Sequence, residues 1–143
     1  MKLYQIDFGT PEYDETIRLR YAVLREPLGL DFSTENLEEE YADLHLAAYD
    51  ETSHLIACLV LSPQNDTQIK MRQVAVVPRH QKTGVGTALV KFSETWSLLA
   101  GYTEMIMHAR ETAVQFYEKL GYKKSGKRFE EVGVPHWFMK KEL

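Results

Sequence analysis

The chain has 143 residues, enough for one domain (1–143) with a real core, and its net charge of −4 excludes the broadly basic surface of a nucleic-acid binder. No apolar run is long enough to span a membrane, and Met1-Lys2-Leu3-Tyr4 does not open a signal peptide. The single cysteine excludes an internal disulfide framework and suits a reducing cytoplasm, and the five histidines form no Cys/His cluster at metal-ligand spacing.

Residues 3–8 alternate loosely and predict a first strand. Thr10-Pro11 is a helix start, a capping hydroxyl followed by proline at the first helical position, and Glu12, Asp14 and Glu15 suit the dipole there. Ile17, Tyr21 and Leu24 form the predicted apolar stripe, with Arg18 and Arg25 off it. Pro27 and Gly29 stop the helix. Residues 28–32 make an unusually apolar loop, read either as core edge or as part of an acceptor pocket. Ser33 or Thr34 caps a short second helix, whose Glu35, Glu38, Glu39 and Glu40 read as a solvated face.

Residues 44–49 and 55–61 predict two strands of a meander, joined by the turn Asp50-Glu51-Thr52-Ser53. Cys58 lies inside the second run and reads as a buried, inert thiol. A turn at Pro63-Gln64-Asn65-Asp66 leads to a fourth strand over residues 68–77, ended by Pro78. A helix beginning near Gly84 carries Val85, Leu89, Phe92, Trp96 and Leu99 at three- and four-residue spacings, and Gly101 closes it. A fifth strand over 104–109, a short helix over 112–120 and a hairpin of 122–130 with 134–140 complete the chain. Helices after the first and later strands, with a meander between, predict an α/β or α+β mixed sheet.

The junction between the fourth strand and the long helix carries the densest chemistry. Gly84 and Gly86 let backbone N–H groups approach a ligand, in a helical first turn whose N–H groups lack partners. Arg79, His80 and Lys82 add positive potential, so the junction asks for a phosphate or pyrophosphate. A P-loop requires G-x-x-x-x-G-K-S/T, and Lys82-Thr83 precedes Gly84, the wrong order. A dinucleotide fingerprint requires a third glycine where Leu89 stands. The remaining pattern, Q/R-x-x-G-x-G/A, is met by Gln81, Gly84 and Gly86.

That strand-turn-helix resembles the acetyl-CoA pyrophosphate loop of the GNAT superfamily of N-acetyltransferases. The later run Ala113-Val114-Gln115-Phe116-Tyr117-Glu118-Lys119-Leu120-Gly121-Tyr122 resembles the superfamily's A-x-x-F-Y-x-K-x-G-F segment, in the right order and with one strand between. The resemblance covers essentially the whole chain and is weakest over residues 25–41. It implies a mixed, mostly antiparallel sheet of about seven strands with about four helices, splayed between the fourth and fifth strands to admit acetyl-CoA. It further implies that Gln81, Lys82, Thr83, Gly84, Val85, Gly86 and Thr87 surround the pyrophosphate. Val74 and Val76 would offer backbone groups to the pantetheine arm, the Val74 N–H facing the acetyl carbonyl. Tyr117 aligns with the tyrosine that protonates the departing thiolate.

Two positions depart from the superfamily. Arg110 stands where an asparagine is common, three residues before Ala113, and Lys70, Met71 and Arg72 stand where some members carry a carboxylate base. The proton acceptor is therefore open among Glu131, His136 and His108. Glu130-Glu131-Val132-Gly133-Val134-Pro135-His136 also resembles an E-x-G-x-P-H stretch of a bacterial subgroup. The implied activity is transfer of an acetyl group from acetyl-CoA to a primary amine of a small molecule or peptide, by direct attack in a ternary complex. The alternatives are a catalytically silent acyl-CoA-binding module and another kind of nucleotide-binding domain. The expected partners are acetyl-CoA and an amine acceptor, with no nucleic acid, no membrane and no metal; a homodimer is compatible with the chain, and the expected location is cytoplasmic.

Overall fold

The computed structural model describes residues 1–31 and 37–143. The predicted cap at Ser33 or Thr34, with Phe32 and Glu35, lies outside them. The strands are β1 (Lys2–Ile6), β2 (Leu44–Tyr49), β3 (Leu55–Pro63), β4 (Gln68–Val76), β5 (Glu104–Arg110), β6 (Lys123–Glu131) and β7 (Val134–Glu142). They form one seven-stranded sheet in the order β1-β2-β3-β4-β5-β7-β6. Every neighbouring pair is antiparallel except β4 and β5, which run parallel.

The parallel pairing is short. It runs from Gln68 opposite Glu104 to Met71 opposite Met107, although β4 continues to Val76 and β5 to Arg110. Beyond Met71 the two strands part, so the expected splay is present. A bulge in β4 helps to open it: Cys58 lies opposite Ala75 but Val60 lies opposite Arg72, and Gln73 has φ 55°. An extra residue in one strand bends that strand and turns its later residues to a new direction.

The helices are α1 (Pro11–Arg20), α2 (Val85–Leu99) and α3 (Val114–Lys119). The hydroxyl of Thr10 caps α1 by accepting from the Tyr13 N–H at 3.2 Å. Its buried face differs from the predicted Ile17, Tyr21 and Leu24 stripe: Tyr13, Thr16 and Arg20 are buried, whereas Tyr21 is exposed. The physical reason is an ion pair. Arg20 donates from Nη1 and Nη2 to the two carboxylate oxygens of Glu40, both at 2.8 Å, and the Tyr13 hydroxyl donates to Glu40 Oε1 at 2.9 Å. Glu40 is thus buried rather than part of a solvated face, while Glu38 and Glu39 are exposed as predicted.

After α1 the chain widens into a π-helical turn (Tyr21–Arg25), then a 3-10 turn (Glu26–Leu28) that ends at Gly29 in a left-handed conformation. In α2 the predicted stripe holds at Val85 and Leu89, and Phe92 and Trp96 pack at the core's edge. It fails at Leu99, which is 84% exposed. Ser93 and Ser97 take the central line instead, fully buried, with hydroxyls donating back to Val90 O at 2.6 Å and Ser93 O at 2.7 Å. Small side chains there allow α2 to lie close on the sheet. The core beneath it joins Leu46, Leu59, Leu61, Ile69, Met105 and Met139. Among the described residues no helix is long and apolar enough to cross a membrane.

Candidate functional site

The turn after β4 is built from a 3-10 segment (Pro78–His80), an extended Gln81, a left-handed Lys82 (φ 62°) and a left-handed Gly84 (φ 92°, ψ −4°). The Gly84 geometry is one that side-chain-bearing residues rarely adopt. No side chain caps α2. Its first backbone bond runs from Ala88 N–H to Gly84 O, 3.0 Å, so the N–H groups of Val85, Gly86 and Thr87 lie ahead of the helical ladder. Such a helix end suits an anion, and the exposed Arg79 and Lys82 reinforce it.

The predicted loop residues divide by role. Gln81 Nε2 donates to Val76 O at 2.9 Å, so that side chain pins the strand end. The Thr83 hydroxyl donates to His80 O and closes the turn. Val85 is buried in the core, and Thr87 is half-buried. A Cβ added at Gly86 would lie 3.4 Å from Phe116 Cζ and 3.6 Å from Val76 Cγ2. The missing side chain at Gly86 therefore lets α2, β4 and α3 approach one another.

Beside this turn the splay opens into a cleft of about 450 Å³. Gln73, Val74 and Gln81 line one side, Met107 and Ala109 the other, and the residues Val23 and Leu24 of the π-helical turn contribute as well. Tyr117, Glu131, His108 and His136 all reach the same cleft. Val76, Lys82, Thr83, Gly84, Val85, Gly86 and Thr87 do not line it; they continue from it through Gln81.

Tyr117 is 6% exposed, its ring packed edge-on against Phe116 and Tyr122. Among the described residues its hydroxyl has no hydrogen-bond partner. Burial pushes the phenol above its ordinary range, so it is protonated at any physiological pH. The neighbouring Tyr122 differs, since its hydroxyl donates to Glu94 Oε2 at 2.7 Å.

Glu131 joins the two candidate histidines. Its Oε1 lies 2.9 Å from His108 Nδ1, and its Oε2 lies 3.6 Å from His136 Nε2, a charge contact too long for a hydrogen bond. Burial alone would raise the Glu131 carboxyl, but the His108 hydrogen bond and charge, with His136 and Lys70, outweigh it and hold it below its ordinary value. His136 is buried and its Nδ1 lies 2.9 Å from Val134 O. In the neutral imidazole, an Nδ1–H donated to this carboxylate would leave Nε2 of His108 as the acceptor nitrogen.

Arg110 Nη2 donates to Leu24 O at 2.7 Å, and Arg25 Nη1 donates to the same carbonyl at 3.2 Å. The wide π-helical turn thereby ties α1 to β5 across the cleft. Arg25 also reaches Gln73 Oε1 at 3.4 Å, on the β4 bulge. Arg25 opens the loop that the sequence offers for the acceptor pocket, whereas Leu28 and Leu30 of that loop are not among the cleft's lining residues, and Gln73 does not stand out in the sequence as a cleft residue. Cys58 is buried, its thiol pushed up to about 12 by burial, in keeping with an inert side chain.

A family model for the GNAT acetyltransferase domain matches residues 23–143. The chain belongs to the GNAT acetyltransferase family. A Bacillus subtilis (strain 168) protein assigned as an acetyltransferase is 27% identical over 131 residues, covering 87% of this chain and 85% of its own length. YjcF from the same organism, named as an uncharacterised N-acetyltransferase, is 35% identical over 74 residues, 51% of this chain and 53% of YjcF. The matched stretches thus span about half the length of some curated relatives. Among solved structures, a Lactobacillus plantarum protein assigned as an N-acetyltransferase superposes with TM-score 0.87 at 26% identity, covering 100% of this chain and 99% of that one. An aminoglycoside 6'-N-acetyltransferase complexed with coenzyme A has TM-score 0.82 at 22% identity, with coverage of 99% and 97%, a likeness of fold. In this GNAT domain the sheet parts beyond Met71 and the fourth strand is bulged between Arg72 and Ala75.

Proposed function

We propose that this GNAT domain moves an acetyl group from acetyl-CoA to a primary amine by direct attack in a ternary complex. The observation that carries the reading is the convergence of three features on one cleft: the bulged β4 backbone at Gln73 and Val74, the unpartnered Tyr117 hydroxyl, and the His108–Glu131 pair.

The pyrophosphate binds at the unpaired N–H groups of Val85, Gly86 and Thr87, with Lys82 supplying charge, and the pantetheine arm runs along β4 at Val74 and Val76. The Val74 N–H stabilises the oxyanion. The Tyr117 hydroxyl donates to the departing thiolate. Its raised pKa makes it a poorer acid than free tyrosine, so it acts as a hydrogen-bond donor first and completes proton transfer only as the thiolate forms. Glu131, held ionised, binds the incoming ammonium and orients His108, whose Nε2 takes the proton. His136, whose Nε2 lies 3.6 Å from the other carboxylate oxygen, flanks Glu131.

The test is incubation with acetyl-CoA, a panel of amines and a free-thiol reagent. Amine-dependent thiol release, strongly reduced in Tyr117→Phe, is the expected result. Binding of acetyl-CoA with no amine-dependent release would refute the enzyme reading and leave a silent acyl-CoA-binding module.

A further inference from the structure

The acceptor end of the cleft carries the wrong charge for a simple cationic amine. A pocket of about 230 Å³ adjoins it, and its lining includes Arg25, Lys70, Arg72, Gln73, His108 and Glu131. Three of these are permanent or near-permanent cations and only one is a carboxylate. The chain as a whole is acidic, at −4, so this local balance runs against the background.

Two of the cations have spare capacity. Lys70 is half-buried, and among the described residues its ammonium has no hydrogen-bond or ion-pair partner. Burial, with Arg72 nearby, lowers its pKa against the pull of Glu131. Arg72 is held by long contacts, 3.4 Å to Asp43 Oδ2 and 3.2 Å to Ser62 Oγ. Lys70 and Arg72 lie two residues apart on β4, hence on one face of the strand. That face leads toward His108 and Glu131, which share the pocket. Glu131 attracts the half-buried Lys70 ammonium without making a direct ion pair to it, so an anionic group placed between Lys70 and Arg72 would gain direct partners there.

We propose that the acceptor is a zwitterionic small molecule, an amine that also carries a carboxylate or a phosphate. Lys70 and Arg72 hold its anionic group while Glu131 takes its ammonium. This deepens the acetyl-transfer reading and rests on it for the amine, but the anion site itself can be tested without turnover. The arrangement sets the amine near His108 and Tyr117 by fixing the far end of the molecule, so the anion acts in positioning rather than in the chemistry.

The test uses matched pairs: O-phosphoethanolamine against ethanolamine, and β-alanine against β-alaninamide. Calorimetry on the whole chain measures binding, and acetyl-CoA turnover is measured separately. The anionic member of at least one pair is expected to bind about tenfold or more tightly, since hydrogen bonds to charged groups reach that size. The pair with the larger gap identifies phosphate or carboxylate. Lys70→Gln and Arg72→Gln, each checked for folding by circular dichroism, should shrink the gap, and Lys70→Glu should reverse it. Equal or tighter binding of the neutral-tailed amines, an unchanged gap in both folded glutamine variants, or no binding of either anionic amine at millimolar concentration would each overturn the proposal. Anion-dependent binding without any acetyl transfer would uphold the anion site and refute the acetyl-transfer reading.

Discussion

Tyr117 and Tyr122 are neighbours, with ring centroids 5.7 Å apart, yet the same substitution should do opposite things to them. In Tyr122→Phe the lost hydroxyl donates to the Glu94 carboxylate at 2.7 Å. Hydrogen bonds to charged groups contribute about 1.5–3 kcal/mol. Lys141 Nζ also holds Glu94, at 3.1 Å to each oxygen, so the carboxylate keeps a partner and the loss belongs near the lower end. That is about 1.5 kcal/mol, or a fall in Tm of about 5 °C for a domain of this size. Turnover should not change. In Tyr117→Phe the lost hydroxyl has no partner, and the ring packing survives. Stability should shift by less than about 0.5 kcal/mol, while kcat falls by about 10²–10⁴-fold, the usual contribution of a positioned proton donor. Thermal melts of both variants beside single-turnover kinetics give the comparison. Wild-type chemistry in Tyr117→Phe would refute the role of the hydroxyl. A melting loss as large as that of Tyr122→Phe would refute the claim that the hydroxyl is unpartnered.

Glu40→Ala should cost about 3–5 kcal/mol, because it leaves Arg20 charged and buried without its carboxylate; urea unfolding measures it. Glu40 has a pKa below its ordinary value: burial pushes upward, and the bonds and charge of Arg20, with the Tyr13 bond, push further down. Its stabilisation is therefore complete above the unfolded value of about 4.3 and is lost as pH falls through the lower folded one, so Glu40→Gln should flatten the acid limb of the stability curve. Lys82→Glu, at an exposed position in the turn before α2, should weaken acetyl-CoA binding by about tenfold in calorimetry with the melting temperature unchanged, an effect that shrinks at high salt. His108→Gln should lower kcat/KM for the amine, and the loss should shrink as pH rises because more of the amine is already neutral. The same profile in His136→Gln but not in His108→Gln would transfer the role of base to His136.

Local patterns carried most of the topology. The proline at Pro78, the left-handed turn at Gly84 and the hairpin around Val132-Gly133 are short-range signals, and each sits where the sequence places it. What escaped depends on partners distant along the chain. Glu40 reads as one more solvated glutamate until Arg20 and Tyr13, more than a helical turn and a loop away, are seen to close on it. Ser93 and Ser97 break an apolar stripe in sequence but satisfy their hydroxyls within the helix, so they can be buried while Leu99 is not. The β4 bulge has no glycine or asparagine to announce it; Gln73 takes its positive φ from the register on either side. The tie from Arg110 to Leu24 depends on a carbonyl turned outward by the π-helical turn, which no periodicity in residues 21–25 forecasts.

The early end of the β4–β5 pairing makes an interior strand behave as two. From Gln68 to Met71 the backbone of β4 is flanked on both sides, by β3 and by β5. From Arg72 to Val76 only β3 flanks it, and the amides turned the other way face solvent in the cleft. In deuterium such amides should exchange as fast as those on a sheet's outer rim, although they lie in the middle of the strand order β1-β2-β3-β4-β5-β7-β6. A single strand would then carry both slow and fast labels, separated by two or three residues. Any ligand arm with its own amide groups that settles there would erase that boundary, so the labelling pattern of β4 alone reports whether the notch is filled.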